Sequence, residues 1–258
     1  MMKLLRADFY RMYHSKRIWL CAAVMTVTAI SFIIMQYTAM DYEVALSRVI
    51  FLPMTFYGIA MAALVSFFIG DDYSEGVIRN KVVAGRSRSA IYMSNMLCVW
   101  SACMVIYIVT IFVTVVIGVW YFEKDITQET FCTYFLLGAF TSIAFGSIFG
   151  ILSMLVGDKS TSAVICISLA FLMLFLCLHT NQAIVQQPYK NGMVNPHYID
   201  GIKRALYEIL HDMNPFGQVA QLSAMTCLNQ ARWMVSDILW MVIAVGVGEV
   251  FFTRKDIR

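Results

Sequence analysis

Charged residues and prolines are scarce in this sequence. Asp, Glu, Lys and Arg make up only 14% of its 258 residues, and four residues are proline. A soluble domain of this length needs a charged surface, whereas 60% of this chain is hydrophobic and its mean hydropathy is +0.72. One core cannot bury so many apolar side chains. A soluble globular domain is therefore excluded, and an integral membrane protein is predicted.

Two motifs that carry chemistry are also missing. The sequence has no G-x-x-x-x-G-K-[ST] phosphate loop, so the chain does not hold ATP in that way. Its seven cysteines form no C-x-x-C pair, and most lie in apolar runs, where a thiol packs as a small hydrophobe. We therefore predict no catalytic residue, no metal site and no cofactor in this chain.

Six long apolar runs are present instead. A helix that crosses the apolar core of a bilayer needs roughly 20 mostly apolar residues. The runs are continuous rather than alternating, which favours helices over barrel strands. The sequence therefore predicts an all-α membrane protein with one transmembrane domain over residues 1–258. The predicted spans are 18–38, 50–69, 91–121, 131–156, 163–179 and 233–252.

The distribution of Lys and Arg predicts the orientation of these spans. One side carries thirteen of them: Lys3, Arg6, Arg11, Lys16, Arg17, Arg79, Lys81, Arg86, Arg88, Lys159, Arg254, Lys255 and Arg258. The other side carries six: Arg48, Lys124, Lys190, Lys203, Arg204 and Arg232. By the positive-inside rule, both termini are expected in the cytoplasm, in a multi-pass protein of the plasma membrane.

Residues 1–17 have the pattern of an amphipathic helix. Its apolar residues cluster on one side of a helical wheel: Met2, Leu5, Phe9, Met12 and Tyr13. Lys3, Arg6, Arg11 and His14 occupy the rest. This pattern is typical of an interfacial helix on the inner leaflet, with bases near anionic head groups. Leu5, Arg6, Phe9 and Arg11 are its candidate membrane-contacting residues.

A long polar segment, 181–232, is predicted outside the cell between the last two spans. Apolar residues recur in it at helical spacing after Pro196: Ile199, Ile202, Leu206, Ile209 and Leu210. The run Asn214-Pro215-Phe216-Gly217 then interrupts the chain. At least one amphipathic helix is expected here. This helix could lie on the membrane, cap a cavity or pack against a partner subunit, and packing is favoured.

Gly70 to Arg88 is the only long polar run in the first half of the chain. Three acids are followed by four bases in GDDYSEGVIRNKVVAGRSR. Asp71, Asp72 and Ser74 offer N-cap chemistry, and Glu75 suits a first helical turn. A short helix is predicted from Val77 to Ala84 and a stop at Gly85.

This short helix has two interpretations. Its apolar residues Val77, Ile78 and Val82 can fill a groove in another protein. Alternatively, the segment is a solvated loop whose bases only fix the topology. Charge alone does not separate the two.

The residues of this loop resemble a known family. Glu75-Gly76, then Arg79-Asn80-Lys81, then Gly85-Arg86-Ser87-Arg88 before a third span are similar to the loop between spans two and three of bacterial type-2 ABC transporter permeases. The family often has Thr after the Glu-Gly pair and Pro where Gly85 stands, so Val77 and Gly85 depart from it. The resemblance extends over the chain: basic N-terminal helix, six spans, and Asn214-Pro215-Phe216-Gly217 before the last span.

The resemblance implies a function. In that family, the loop forms a coupling helix that docks on a separate ATPase subunit, which binds ATP and Mg²⁺. Two permeases and two ATPases form the working unit, and small permeases of this shape resemble exporters of amphipathic peptides, including phenol-soluble-modulin and bacitracin-type exporters. The docking residues implied here are Glu75, Gly76, Val77, Ile78, Arg79, Asn80, Lys81, Gly85 and Arg88.

A self-contained membrane protein, either a channel or an intramembrane hydrolase, is the alternative. Ser147 lies within a span, and His179 is the only histidine near one. However, small residues repeat every four positions in the same span: Gly138, Ser142, Gly146 and Gly150. This spacing favours close helix packing over a catalytic serine.

Two acids fall within the last predicted span. Asp237 and Glu249 both lie close to its ends. We expect Asp237 to reach outer water and Glu249 to meet Arg254, Lys255 or the N-terminal helix. Anchoring is favoured over a proton relay, because depth in the membrane makes a charge costly.

Overall fold

A computed structural model of the chain describes residues 2–39, 44–190, 193–195 and 198–255. Pro196 and Arg258, used in the sequence analysis, lie outside them. The α-helices are α1 Met2–His14, α2 Lys16–Ala39, α3 Ser47–Ile50, α4 Tyr57–Ser74, α5 Val77–Val83, α6 Arg88–Tyr121, α7 Gln128–Val156, α8 Lys159–Ile184, α9 Gly201–Met213, α10 Pro215–Ala224, α11 Gln230–Ile243 and α12 Glu249–Arg254. Two short strands, β1 Tyr189–Lys190 and β2 Met193–Val194, pair antiparallel.

Six helical stretches are long and apolar enough to cross a membrane. They match the six predicted spans, which confirms the all-α fold and the six transmembrane candidates. Span two includes a 3-10 turn, Leu52–Phe56, with Pro53 near its start, and span six includes a π-helical turn, Ala244–Gly248. Most spans extend past their predicted bounds, because helices continue into polar residues that tertiary contacts satisfy.

The small-residue face of α7 packs as predicted. A Cβ atom on Gly146 would lie 3.0 Å from Sγ of Cys103, and one on Gly150 would lie 2.8 Å from Sδ of Met96. Both neighbours belong to α6. Ser142 hydrogen-bonds Tyr57 of α4 at 2.5 Å. Small side chains therefore let three spans approach closely.

The segment between spans five and six forms two helices. α9 covers most of the predicted amphipathic pattern, although Ile199 precedes it and α8 continues to Ile184 rather than ending at 179. Asn214 ends α9 and caps α10 by accepting a hydrogen bond from the Phe216 N–H. α10 lies inside the bundle, where Phe216, Val219 and Leu222 are buried. The predicted apolar residues of α9 are exposed instead (Ile202, Leu206, Ile209 and Leu210), so the packing predicted for that helix stays a prediction.

The loops divide between two ends of the bundle. The basic end contains α1, α5, the turn at Gly157 and the end of α12. Of the described residues, the opposite end contains α3, the 122–127 connection, and the stretches 185–190, 193–195, 198–213 and 225–229. The N-terminal helix, the polar loop and the C-terminal residues therefore share one end, as the charge distribution predicted.

Candidate functional site: an ion-paired helix at the basic end

The short predicted helix exists as α5. Gly76 precedes it with φ +67°, a left-handed conformation that a side chain would strain. At its end, Gly85 has φ +76°, its N–H bonds to the Val82 carbonyl at 2.9 Å, and the Arg86 N–H bonds to the Lys81 carbonyl at 3.1 Å. This pair of bonds is a Schellman motif. The predicted stop at Gly85 is therefore confirmed.

The predicted N-cap is wrong. Asp71, Asp72 and Ser74 belong to the last turn of α4, and Gly76 caps α5 without any side-chain hydrogen bond. Glu75 is the C-cap of α4 rather than a first-turn residue of α5. Acids at a helix C-terminus oppose the helix dipole. Their position has to be offset by cations from elsewhere in the chain.

Asp72 is one of these acids, and it pairs with the N-terminal helix. Its carboxylate is 2% exposed and lies 2.5 Å from Nη2 of Arg11. The Arg11 guanidinium also lies over the ring of Phe68, 5.5 Å from its centroid. Arg11 was predicted to face lipid head groups. It instead binds α1 to span two, because a buried carboxylate competes for it.

Asp8 connects α1 to α5 and to span three. It is 3% exposed, and its carboxylate lies 2.7 Å from Nζ of Lys81. The Ser94 hydroxyl of α6 donates to it at 2.6 Å. Lys81 also donates to the side-chain carbonyl of Asn95 at 3.3 Å. Lys81 was expected to dock on a partner, but its ammonium group is held inside the protein.

Asp71, the neighbouring acid, forms ion pairs with two further helices. It pairs with Arg17 at the start of α2 and lies 3.0 Å from Nζ of Lys159 at the start of α8. These side chains are more exposed than the Asp8 and Asp72 groups. The end of span two is therefore connected by charge to α1, α2 and α8.

Thr253 and Lys255, near the C-terminus, pack at the same end. Nη1 of Arg88 donates to the carbonyls of Thr253 and Lys255, at 3.0 and 2.6 Å. Lys255 lies over the ring of Tyr73 and donates to its hydroxyl at 3.2 Å. Burial lowers the pKa of the Lys255 ammonium below its ordinary value. Arg88, another expected docking residue, is thus also used internally.

The two faces of α5 differ sharply. Ile78 is 1% exposed and packs into the core, so it is not available to a partner as predicted, and Val77 and Val82 are half-buried. Val83, which the prediction did not use, is 80% exposed. The outward surface also includes exposed Glu75, Arg79, Asn80, Gly85 and Arg86, while Gly76 is half-buried. We call these exposed residues, with Val83, the outer face of α5.

The N-terminal helix is rotated relative to the prediction. Leu4, Asp8 and Met12 are its buried residues, whereas Met2 and Tyr13 from the predicted apolar stripe are exposed. Leu5 and Phe9 are half-buried, and Arg6 is exposed. The rotation follows from Asp8, which has to face Lys81 and Ser94. Contact of Leu5, Arg6 and Phe9 with the membrane stays a prediction.

Asp8 is the functional candidate that sequence reasoning missed. It is the only acid among the five bases of the first 17 residues. A single acid on a basic helix is a usable signal, because a helix that only binds anionic lipid gains nothing from it. Its partner, Lys81, lies 73 positions away and is not visible from spacing.

The other candidate groups do not assemble into a catalytic site. The Ser147 hydroxyl bonds to Nε1 of Trp100 at 2.9 Å and to the Ile143 carbonyl, while His179 lies 3.3 Å from the Tyr207 hydroxyl. The serine and the histidine are thus bonded to different groups. Within the described ranges, no group of three His, Cys, Asp or Glu residues is placed to hold a metal ion.

The two acids of span six also differ from expectation. Asp237 is fully buried and does not reach outer water. Its carboxyl group lies 3.4 Å from the Thr141 hydroxyl of α7, inside the bundle. Glu249 accepts a hydrogen bond from the Ser89 hydroxyl of α6 rather than pairing with the predicted cations.

No protein-family model matches the chain, and no curated protein matches it significantly.

Proposed function

We propose that this chain is the transmembrane permease subunit of an ATP-driven exporter, and that the outer face of α5 docks on a separate ATPase subunit. The observation that carries the proposal is the contrast between the two faces of α5. One face is fixed by Lys81 and Ile78 to the protein, and the other leaves Glu75, Arg79 and Val83 exposed.

The internal contacts of α5 would transmit its movement to other helices. A push on α5 would pass through Lys81 to Asp8 of α1, and through the two-residue link Glu75-Gly76 to span two. The ion pair between Asp72 and Arg11 also joins span two directly to α1. Force applied at the outer face of α5 would therefore move α1, α4 and α6 together, as a rigid-body transition requires.

The remaining surface suits a second copy and an apolar cargo. Spans one, five and six are the least buried: in each, 28% of an apolar 18-residue stretch lies inside the protein. An apolar cavity of about 470 Å³ opens between α7, α8, α9 and α11, lined among others by Met173, Met213 and Trp240. Methionine and aromatic side chains adapt to varied hydrophobic ligands. We propose two permeases, two ATPases, and an amphipathic peptide or similar molecule as cargo.

Charge reversal on α5 tests the proposal. The chain is co-expressed with the ATPase of a neighbouring reading frame that carries a phosphate loop, and the complex is purified through a tag on the permease. The double variant Glu75→Lys/Arg79→Glu is expected to lose most of the co-purified ATPase, because both exposed charges change sign.

The matched control reverses two exposed charges at the opposite end, Lys124→Glu and Glu129→Lys. It should retain the ATPase at the wild-type ratio. Equal retention by both variants would overturn the docking assignment. Transport by the purified chain alone, without an ATPase, would favour the self-contained channel.

A further inference from the structure

A second polar cluster lies in the interior, far from the ion pairs of the basic end. It consists of Thr141 of α7, Gln218 of α10, and Trp233 and Asp237 of α11. All four side chains are fully buried. Thr141 is about halfway along span four, so the cluster sits deep in the bundle. An ionisable group at such a depth calls for a physical explanation.

Thr141 is the centre of the cluster. Its hydroxyl oxygen accepts a hydrogen bond from Nε1 of Trp233 at 2.8 Å. It also lies 3.2 Å from the Leu137 carbonyl, 3.0 Å from Oε1 of Gln218 and 3.4 Å from Oδ2 of Asp237. The orientation of the Gln218 amide is fixed, because its Nε2 donates to the Asp212 carbonyl at 2.8 Å.

The donors and acceptors do not balance if Asp237 is ionised. A threonine hydroxyl has one proton and two lone pairs, whereas a carboxylate only accepts. Thr141 has one proton to donate to Asp237, Gln218 or Leu137, so an ionised Asp237 leaves either its own oxygen or the Gln218 oxygen without that donor. A proton on Asp237 Oδ2 restores the balance, because it donates to the free lone pair of Thr141.

The lack of a nearby cation also favours a protonated Asp237. Oδ1 of Asp237 has no hydrogen-bond partner, and no Lys, Arg or His nitrogen of the described residues lies within 4.0 Å of this carboxyl group. An isolated buried carboxylate without a cation is strongly disfavoured. The basic-end acids Asp8 and Asp72 show the contrasting case, since each is buried against a cation.

The charged and titratable groups of the surrounding elements are engaged or exposed elsewhere. On α9, Arg204 pairs with Glu208, Lys203 is exposed, His211 bonds to Thr180, and Tyr207 bonds to His179. Asp212 accepts from Gln221 at 2.8 Å and lies 3.3 Å from Nε of Arg232 on α11. On α7, Glu129 is exposed. On α12, Glu249 bonds to Ser89, and Arg254 is exposed.

We infer that Asp237 is a proton-binding site: in this conformation its carboxyl group is neutral and donates a hydrogen bond to Thr141. This hydrogen bond joins α7 to α11. Gln218 of α10 contacts the same Thr141 hydroxyl. Gln218 is hydrogen-bonded to the Asp212 carbonyl, and the Asp212 carboxylate pairs with Arg232. The Arg232 side chain is 32% exposed, so this series of contacts reaches the surface. Withdrawal of α10 would admit water from the opposite end, ionise Asp237 and release the proton. A higher pH at that end therefore favours the open arrangement.

Infrared spectroscopy of the purified full chain tests the protonation directly. Wild type is expected to show the carbonyl stretching band of a protonated carboxylic acid at neutral pH, shifted by ¹³C-aspartate labelling. Asp237→Asn should lose that band and still fold, because its amide can donate to Thr141. Asp125→Asn is the control, since Asp125 accepts from Ser47 at the exposed opposite end, and it should keep the band.

A second measurement follows the thermal unfolding midpoint against pH. The wild-type midpoint should fall more steeply with rising pH than that of Asp237→Asn, because only wild type has to lose this proton. Because ¹³C-aspartate labels every aspartate, Asp237→Ser takes the place of Asp237→Asn in both measurements if the asparagine variant does not fold. Absence of a ¹³C-shifted protonated-acid band, or equal pH dependence of the two proteins, would overturn the inference.

A bound metal cation is the competing occupant. Midpoints in NaCl, KCl and choline chloride of equal ionic strength separate the two. Equal wild-type midpoints in the three salts support the proton. A shift specific to Na⁺ or K⁺ that Asp237→Asn abolishes would replace the proton with that cation.

Discussion

The two ends of the bundle treat buried acids in opposite ways. At the basic end, Asp8 and Asp72 are buried against Lys81 and Arg11, at 2.7 and 2.5 Å. In the opposite half, Asp237 is buried among uncharged partners. Paired charges at a bundle end join separate helices and depend on both partners. A neutral acid in the interior depends on one proton, so it responds to pH rather than to a neighbouring subunit.

Removal of a paired acid should give the largest loss of stability. Asp72→Ala leaves the Arg11 guanidinium partly buried without its main partner. We expect a loss of about 3 kcal/mol, the low end of the cost of breaking a buried pair, because the Arg11 side chain is 31% exposed. The measurement is reversible unfolding in mixed detergent micelles. The double variant Asp72→Ala/Arg11→Met should recover part of the loss, and no recovery would contradict the pairing.

Overpacking beside α10 should give the next largest effect. A Cβ atom on Gly58 would lie 2.5 Å from Cζ of Phe216 and 2.7 Å from Cε1 of Phe145. Both rings are rigid and buried, so Gly58→Ala should cost about 1–3 kcal/mol. Gly246→Ala is the control, since no atom lies within 4 Å of the added methyl group. Similar unfolding midpoints for the two variants would show that α10 does not pack tightly on span two.

Acid should destabilise the opposite end through His211. Burial lowers the pKa of this imidazole, which lies 2.9 Å from the Thr180 hydroxyl. Below its ordinary pKa of about 6.5, the unfolded state binds a proton that the native state does not. The free energy of unfolding therefore falls as pH falls through that value. His211→Gln should remove this part of the pH dependence, whereas an unchanged profile would assign it to another group.

The sign for His211 is opposite to the sign inferred for Asp237. Native His211 excludes a proton, so its contribution to stability rises with pH. Native Asp237 holds a proton, so its contribution falls with pH. Thermal midpoints of the single and double variants separate the two contributions, because each single variant removes one pH dependence and the double variant removes both.

The exposed pair at the basic end should give the smallest effect. The Lys159 side chain is 38% exposed and lies 3.0 Å from Asp71. Lys159→Met should cost about 0.5 kcal/mol, because solvent screens exposed ion pairs. High salt should reduce the difference from wild type further. A loss comparable to that of Asp72→Ala would remove the distinction between buried and exposed pairs.

The sequence predicted the parts of the fold that depend on local pattern. Six apolar runs predict six helices, and the Gly85 stop needs only a left-handed residue after a short helix. It did not predict that α4 continues through Asp71 and Asp72. Acids at that point favour a helix start locally, and only cations from Arg11, Arg17 and Lys159 make them acceptable at a helix end.

Long-range pairing also explains the errors at the candidate site. Lys81 and Arg88 were predicted to face a partner because the resemblance to a permease family implied that role. Their internal acceptors, Asp8 and the carbonyls of Thr253 and Lys255, come from the two ends of the chain. Asp237 was placed near outer water because it lies close to the end of a span, and its burial beside Thr141 and Gln218 is a tertiary feature.

Site-specific photo-crosslinking tests the central proposal most directly. A photoreactive residue is introduced at Val83, which is 80% exposed at the basic end, or at Ile202, which is 89% exposed at the opposite end. Membranes that contain the variant and the ATPase proposed as its partner are then irradiated. We predict an ATPase adduct from position 83 and none from position 202. An adduct from position 202, or none from position 83, would contradict docking on α5.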